Sequence, residues 1–266
     1  MSRRRFGFSL RRRGPGAAWT ALGILGFGAL MLAAYDAVGP AAMDQLLMEG
    51  EGEGLLRAIA GGGGVAAGGF TAFLALIWRH PLILVVLVMY AAAAGTFVAR
   101  EVGDGTVDLL FSRPVSRIRL ALHDLAAVST LLFVVTMLFS LTLRVVAVNL
   151  GLEPPGWSEF MVAGLLTFAF AMSILGTSYL IGSLAREGRQ ALGLAGGLFA
   201  AMYALDVVGG IWEVVEPYRV ASLFRYFAPL EALTRGDELG SNLAVLLGAG
   251  AAAFSLSLLA LERRDL

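Results

Sequence analysis

Three ionisable residues of this 266-residue chain lie within or beside long apolar segments, namely Asp36, Arg144 and Asp206. A charge in an apolar medium is costly, so it is usually paired, faces a water-filled path, or extends to a polar interface. We expect Asp36 to extend towards the nearer interface. Asp206 is flanked by Leu205 and Val207, so we expect it to be paired or to line a pore. All three residues are predicted to lie towards the outer ends of their segments, at similar depths, so Arg144 could pair with either carboxylate.

Other side chains that commonly do chemistry are scarce. The chain has no cysteine, which excludes disulfides, thiolate metal sites and cysteine nucleophiles. Its two histidines, His80 and His123, are too few to suggest a metal centre. All 20 basic residues are arginines, so the sequence lacks the lysine of a Walker A loop and a Schiff-base lysine. We therefore expect no catalytic residue, metal or cofactor bound by this chain.

The composition indicates the class of protein. Hydrophobic residues make up 58% of the chain and charged residues 15%. A soluble domain usually has about 45–50% apolar and about 25% charged residues. So few charges could not solvate the surface of a soluble globule of this length. The composition excludes a soluble domain, a disordered chain and a nucleic-acid-binding protein, and it indicates an all-α polytopic membrane protein.

Six segments have the roughly 20 mostly apolar residues that a transmembrane helix needs. The predicted spans are 17–38, 81–98, 125–150, 160–184, 190–212 and 243–261. Pro81 suits the first turn of the second span. A basic lead over 1–16, an outer loop over 39–80 and an inner loop over 99–124 complete a single transmembrane domain over 1–266. Within the outer loop, we expect a short helix over 43–60, a glycine-rich joint, and an interfacial segment over 70–78.

Arginines are distributed unequally between alternate loops. Both termini and the loops after spans two and four together hold 14 arginines, whereas the other three loops hold five. Cytoplasmic loops carry the excess of basic residues, so we predict that both termini are cytoplasmic. The start of the chain resembles a twin-arginine signal, but the apolar stretch after it is longer than a signal core and lacks a cleavage site. We expect 3–13 to lie against anionic lipid.

The loop between spans two and three combines a short apolar turn with flanking arginines. Asp104 or Thr106 can cap the start of a helix, and 107–111 form an apolar turn. Pro114 ends it, because the residue before a proline is disfavoured in the α conformation. From these residues alone, a hairpin on the membrane surface and a docking element for a partner protein are equally compatible.

This loop resembles the loop between spans two and three of ABC-2-type transporter permeases. The matching residues are Glu101, Gly105, Thr106, Leu109, Leu110, Ser112, Arg113, Pro114, Val115, Ser116, Arg117 and Leu120. The resemblance extends to the six spans, the basic lead and the outer segment between spans five and six. Two places depart from the family pattern: Asp108 replaces the usual glutamate, and His123 and Asp124 replace a Gly-Lys pair.

The resemblance implies that the loop is a coupling helix that docks in a cleft of a separate ATP-binding subunit. ATP and Mg would be bound by that subunit. The docking residues would be Glu101, Gly105, Thr106, Val107, Leu109, Leu110, Phe111, Arg113, Pro114 and Arg117. Six spans resemble a half-transporter, which implies a homodimer or a pair with a related permease. The implied location is the plasma or inner membrane.

The segment 213–240 is too polar to span a membrane and too apolar for a plain loop. In the resembled family it would form a re-entrant outer element that closes the export path. The alternative is an interfacial helix with no gating role. The aromatic residues of this segment also predict an aromatic belt. The belt would consist of Trp212, Tyr218, Phe224, Tyr226 and Phe227.

The expected function is that of the permease subunit of an ATP-binding-cassette exporter for a hydrophobic or amphipathic substrate. An alternative with the same fold is the transmission of ATP-driven motion to a periplasmic partner without cargo. A secondary transporter is less favoured, because inverted repeats and midplane charges are not evident. An intramembrane serine protease is disfavoured because Ser178 lacks the expected following glycine, and His80 and His123 lie at opposite membrane faces.

Overall fold

The structure, a computed structural model, describes residues 3–39, 42, 69–97, 99 and 117–263, with only the backbone given for 3–6, 117 and 120. Regular structure in these ranges is helical, and they contain no strand. The helices are α1 (Arg3–Val38), α2 (Gly69–Arg79), α3 (Pro81–Gly95), α4 (Arg117–Asn149), α5 (Trp157–Leu184), α6 (Gly188–Ile211), α7 (Pro229–Thr234) and α8 (Leu239–Arg263). A 3₁₀ helix covers Glu216–Ala221.

Six segments of the described chain are long and apolar enough to cross a membrane, which confirms the predicted all-α fold. They are Gly7–Val38, Gly69–Gly95, Ala121–Asn149, Trp157–Leu184, Gly188–Ile211 and Leu239–Arg263. The orientation of the bundle stays a prediction. We call the end at which α1 begins the predicted inner end, and the end at which α1 finishes the predicted outer end.

The second of these segments is longer than the sequence analysis predicted, because it contains two helices. The range 70–78, predicted to be interfacial, lies in α2, and Trp78 is fully buried. Pro81 lacks an N–H and disfavours the α conformation in the residue before it, so the helix breaks at His80. The backbone N–H of Leu82 donates to His80 Nδ1 at 3.2 Å, and Pro81 occupies the first turn of α3 as predicted.

Helix α5 is the centre of the bundle and packs against α3, α4, α6, α7 and α8. Its contact with α8 depends on two glycines at the crossing point. A Cβ atom at Gly176 would overlap the carbonyl oxygen of Gly250, and one at Gly250 would lie 2.8 Å from the carbonyl oxygen of Met172. Helices α1, α6 and α8 lie at the periphery, where most of their apolar surface is exposed. That surface is available to lipid or to another chain.

The segment between α6 and α8 contains the 3₁₀ helix and α7, and part of it enters the core. Phe224 and Phe227 are buried, with ring centroids 5.1 Å and 4.6 Å from that of Phe170 on α5. The prediction that both belong to an aromatic belt was therefore wrong. Trp212 and Tyr218 are exposed, as residues of a belt would be. The segment is anchored to the bundle by its buried phenylalanines.

The orientation predicts where reporter domains fused to the chain would be found. Fusions after Gly61, Gly151 and Gly240 should be active outside the cell, and fusions after Gly105 and Gly188 should be active in the cytoplasm, because basic loops are retained there. Gly151 follows the end of α4 in a turn with φ of +74°, so a fusion there leaves the helices intact. A cytoplasmic signal at Gly151 would contradict the predicted topology.

Candidate functional site

Asp206 is fully buried near the predicted outer end of α6, and it is bound by two arginines. Its Oδ2 accepts a short hydrogen bond from Nη2 of Arg79, which is itself fully buried at the end of α2. Its Oδ1 accepts from Nε and Nη2 of Arg219 at 3.1 Å and 2.9 Å. We call Arg79, Asp206 and Arg219 the Asp206 cluster. It joins α2 and α6 to the 3₁₀ helix.

Arg79 also binds the backbone of the segment that follows the 3₁₀ helix. Its Nη1 donates to the carbonyl oxygens of Phe224 and Phe227 at 2.9 Å and 2.6 Å. The same segment is attached to α6 by Ser222, whose hydroxyl donates to the carbonyl oxygen of Met202 at 2.7 Å. The Asp206 cluster therefore holds the outer segment against the bundle by side-chain and main-chain contacts together.

The contacts of the cluster explain how Asp206 is accommodated in an apolar bundle. Among the contacts of the described residues, two guanidinium groups bind its carboxylate, and Arg79 also donates to the carbonyl oxygens of Phe224 and Phe227. A buried ion pair is stable only when its remaining hydrogen-bonding groups are also satisfied. Removal of the carboxylate would deprive the fully buried Arg79 of a counterion, which is unfavourable.

An apolar cavity of about 300 Å³ lies between α3 and α6, next to the Asp206 cluster. Its lining consists of Pro81, Leu84, Val85, Val88, Met89, Gly196, Phe199, Ala200, Tyr203 and Phe224. The rings of Tyr203 and Phe224 are 5.3 Å apart, and Tyr203 lies one helical turn before Asp206. The cluster is thus at the predicted outer end of a cavity whose walls suit apolar ligands.

The structure separates the three ionisable residues that the sequence singled out. Asp206 is paired, as expected, but with Arg79 and Arg219 rather than with Arg144. Asp36 is exposed near the end of α1, and the described residues contain no ion pair for it. Arg144 lies over the rings of Trp157 and Phe160. The allowed pairing of Arg144 with either carboxylate is therefore not formed.

A second buried polar cluster, which the sequence analysis did not predict, lies at the predicted inner end. Arg13 donates from Nη2 to Asp124 Oδ2 at 3.0 Å, and the hydroxyl of Tyr179 donates to the same oxygen at 2.6 Å. Arg13 Nη2 also lies 3.4 Å from the carbonyl oxygen of Ala94. We call Arg13, Asp124 and Tyr179 the Asp124 cluster. Its contacts join α1, α4 and α5 to the end of α3.

Local sequence patterns carried little signal for the Asp124 cluster. Arg13 was assigned to a lead segment at the lipid surface, whereas it lies in the continuous helix α1 and its side chain is only 12% exposed. Asp124 was noted only as a departure from a family pattern. An acid next to a long apolar span was the one available clue, because such a group requires a partner.

The predicted docking residues from Glu101 to Pro114 lie outside the described residues, as do the predicted helix over 43–60 and the glycine joint after it. Arg117 is the first residue of α4. Asp124 lies seven residues further along α4, which is about two helical turns. The inner loop was predicted over 99–124, so its last residues, 117–124, lie in α4, and Asp124 follows the predicted docking residues in the chain.

Residues 18–266 match the protein family described as "ABC-2 family transporter protein". The match covers all but the first 17 residues of the chain. No curated protein and no solved structure matches the chain.

Proposed function

The chain belongs to the ABC-2 transporter family, and from this premise we propose that it is the permease of an exporter that moves an apolar or amphipathic substrate outward. Family membership makes the chain a multi-pass membrane subunit of an ABC transporter that associates with an ATP-binding subunit. Our proposal adds the outward direction, the substrate class, and ATP hydrolysis on the partner as the source of energy.

The observation that carries the substrate class is the cavity between α3 and α6. Apart from the hydroxyl of Tyr203, the side chains that line it are apolar. A ligand bound there would gain free energy from burial of apolar surface, since the walls offer few hydrogen-bonding groups. A strongly polar substrate would lose its hydration without compensation. The cavity therefore favours an apolar or amphipathic molecule.

The Asp206 cluster supports the proposed outward direction, because it lies at the predicted outer end of this cavity. It holds the outer segment through Arg79 and Arg219, and Phe224 of that segment is itself part of the cavity wall. Movement of the segment away from α6 would open the cavity towards the predicted outer side. We propose that the cluster keeps the path closed until movement of the helices separates its members.

ATP and Mg would be bound by the partner subunit, because the sequence contains no lysine and so no Walker A loop. The proposed contact with that subunit is the loop that contains 101–117. A second permease copy would complete the transporter. The six candidate spans, which resemble half of a transporter, support this.

Filling the cavity provides the test of the proposed function. We expect Ala200→Phe to reduce ATP-dependent accumulation of an amphipathic rhodamine dye at least about tenfold, because the ring would occupy the space for substrate. The measurement uses inside-out vesicles that contain the chain and its ATP-binding subunit. Ala201→Phe is the matched control, since Ala201 is exposed on the same helix but does not line the cavity.

Two outcomes would contradict the proposal in different ways. Equal dye accumulation in wild type and Ala200→Phe would show that the cavity is not the binding site. If the wild-type complex hydrolysed ATP but moved no amphipathic probe across the membrane, the result would instead favour transmission of motion to a periplasmic partner.

A further inference from the structure

Arg144 belongs to neither the Asp206 cluster nor the Asp124 cluster. It lies on α4 five residues before the end of the helix at Asn149, which is about 7–8 Å along the helix axis. The guanidinium carbon is 4.9 Å from the ring centroid of Trp157 and 5.8 Å from that of Phe160. Both distances are within the range of cation–π contact. The two rings belong to the first turn of α5, so the group lies where α4 ends and α5 begins.

The guanidinium has an incomplete set of partners. Its Nε and Nη1 are buried, and neither donates a hydrogen bond within the described residues. Arginine stays protonated in proteins, so its charge cannot be removed by a shift in protonation. A cation–π contact stabilises the charge but provides no acceptor for the N–H groups. A buried N–H group without an acceptor is costly, and more so when the group is charged.

The side chain is partly exposed at the surface of the bundle, beside Trp157, which is 53% exposed. A ligand can therefore approach the exposed part of this side chain from the membrane, whereas Nε and Nη1 are themselves buried. Trp78 Nε1 and Ser140 Oγ also lack acceptors, but both residues are fully buried and neutral, so neither is accessible in this way. Arg144 and Trp157 thus form an accessible cationic surface near the predicted outer end of the bundle, and exposed tryptophans are typically found at membrane interfaces.

We propose that Arg144 and Trp157 form a binding site for the phosphate of a phospholipid in the leaflet at the predicted outer end. Phosphate supplies several anionic oxygens, and arginine binds it through short, charge-assisted hydrogen bonds. The acyl chains of such a lipid would lie against the exposed apolar face of α4, which includes Val145 and Val148. The site is separate from the cavity between α3 and α6 and does not depend on the transported substrate.

The test is native mass spectrometry of the full chain in detergent, titrated with phosphatidylglycerol. We expect Arg144→Gln to bind this lipid about tenfold more weakly than wild type, a difference of about 1.4 kcal/mol. Trp157→Leu should show a smaller loss, because the guanidinium remains. Arg225→Gln is the control, because it removes the same charge from an exposed position in the segment between α6 and α8 rather than from the contact with Trp157.

Two further ligands test whether the site requires both the phosphate and the acyl chains of a phospholipid. A galactolipid with the same acyl chains should bind wild type and Arg144→Gln equally weakly, because it has no phosphate. Glycerol phosphate at the same concentration should not displace phosphatidylglycerol; displacement would overturn the assignment to a lipid. Phosphatidylglycerol should raise the melting temperature of wild type but not of Arg144→Gln. Equal binding of phosphatidylglycerol by wild type and Arg144→Gln would also overturn the proposal.

Discussion

Replacement of Asp206 with asparagine is expected to weaken the attachment of the outer segment and to reduce the stimulation of ATP hydrolysis by substrate. The change removes the charge that Arg79 and Arg219 both bind. Loss of one partner from a buried ion pair typically costs about 3–5 kcal/mol, because the remaining charge is left uncompensated. The chain should still insert, since a neutral amide at this position is less costly in the membrane than a carboxylate.

The measurements are the melting temperature in detergent and substrate-stimulated ATP hydrolysis in the assembled transporter. Asp36→Asn is the matched control, because it removes the same charge from an exposed position near the end of α1. Arg219→Gln should have a smaller effect than Asp206→Asn, since the bonds from Arg79 to Asp206, Phe224 and Phe227 remain. If Asp206→Leu were fully active and at least as stable as wild type, the charge would have no functional role.

The need for a partner at Asp206 could be predicted from sequence, but the partner itself could not. Hydropathy placed the carboxylate among apolar residues, and the cost of burying a charge implied an ion pair. Arg79 was assigned to an outer loop because Pro81 marked the start of a helix. The proline does start a helix, yet α2 precedes it and continues the same candidate span. Because the helix breaks within a span, the sequence did not indicate that Arg79 is buried.

The Asp124 cluster was beyond sequence reasoning for a different reason. Arg13 and Asp124 are 111 positions apart, and their contact depends on how α1 packs against α4. Periodicity and hydropathy identify each helix separately, but they do not specify which faces meet. The same holds for Gly176 and Gly250, whose close approach sets the crossing of α5 and α8. The number of spans could be predicted because it depends only on segment length and hydrophobicity.

The Asp124 cluster bears on how motion would pass from a partner subunit to the helices. Helix α4 begins at Arg117, within the inner loop predicted over 99–124, and Asp124 is bound to Arg13 on α1 and Tyr179 on α5. Displacement of the start of α4 would therefore act on three helices together. Since α5 also packs against α6 and α7, this arrangement supports the proposal that the loop is the place where the ATP-binding subunit acts.

Leu110→Asp is accordingly expected to weaken binding of the ATP-binding subunit about 100-fold or more, which corresponds to about 2.7 kcal/mol. The sequence predicts a short apolar turn over 107–111, and a docking helix of this size would rely on a few buried anchors. A carboxylate at position 110 would be desolvated on docking without a counterion. Arg113→Ala should cost at most about 1 kcal/mol, because a charge pair at the rim of a contact remains solvated.

Co-purification of the two subunits in detergent measures this effect, and Leu55→Asp is its matched control. Leu55 lies in the predicted outer loop, so the same substitution there should leave the complex intact if the predicted orientation is right. Both variants should insert normally, because neither changes a predicted span. If Leu110→Asp retained the ATP-binding subunit at wild-type stoichiometry and transported normally, the loop would not be the coupling element. A hairpin that lies on the membrane surface would then account better for the apolar residues and the arginines of this loop.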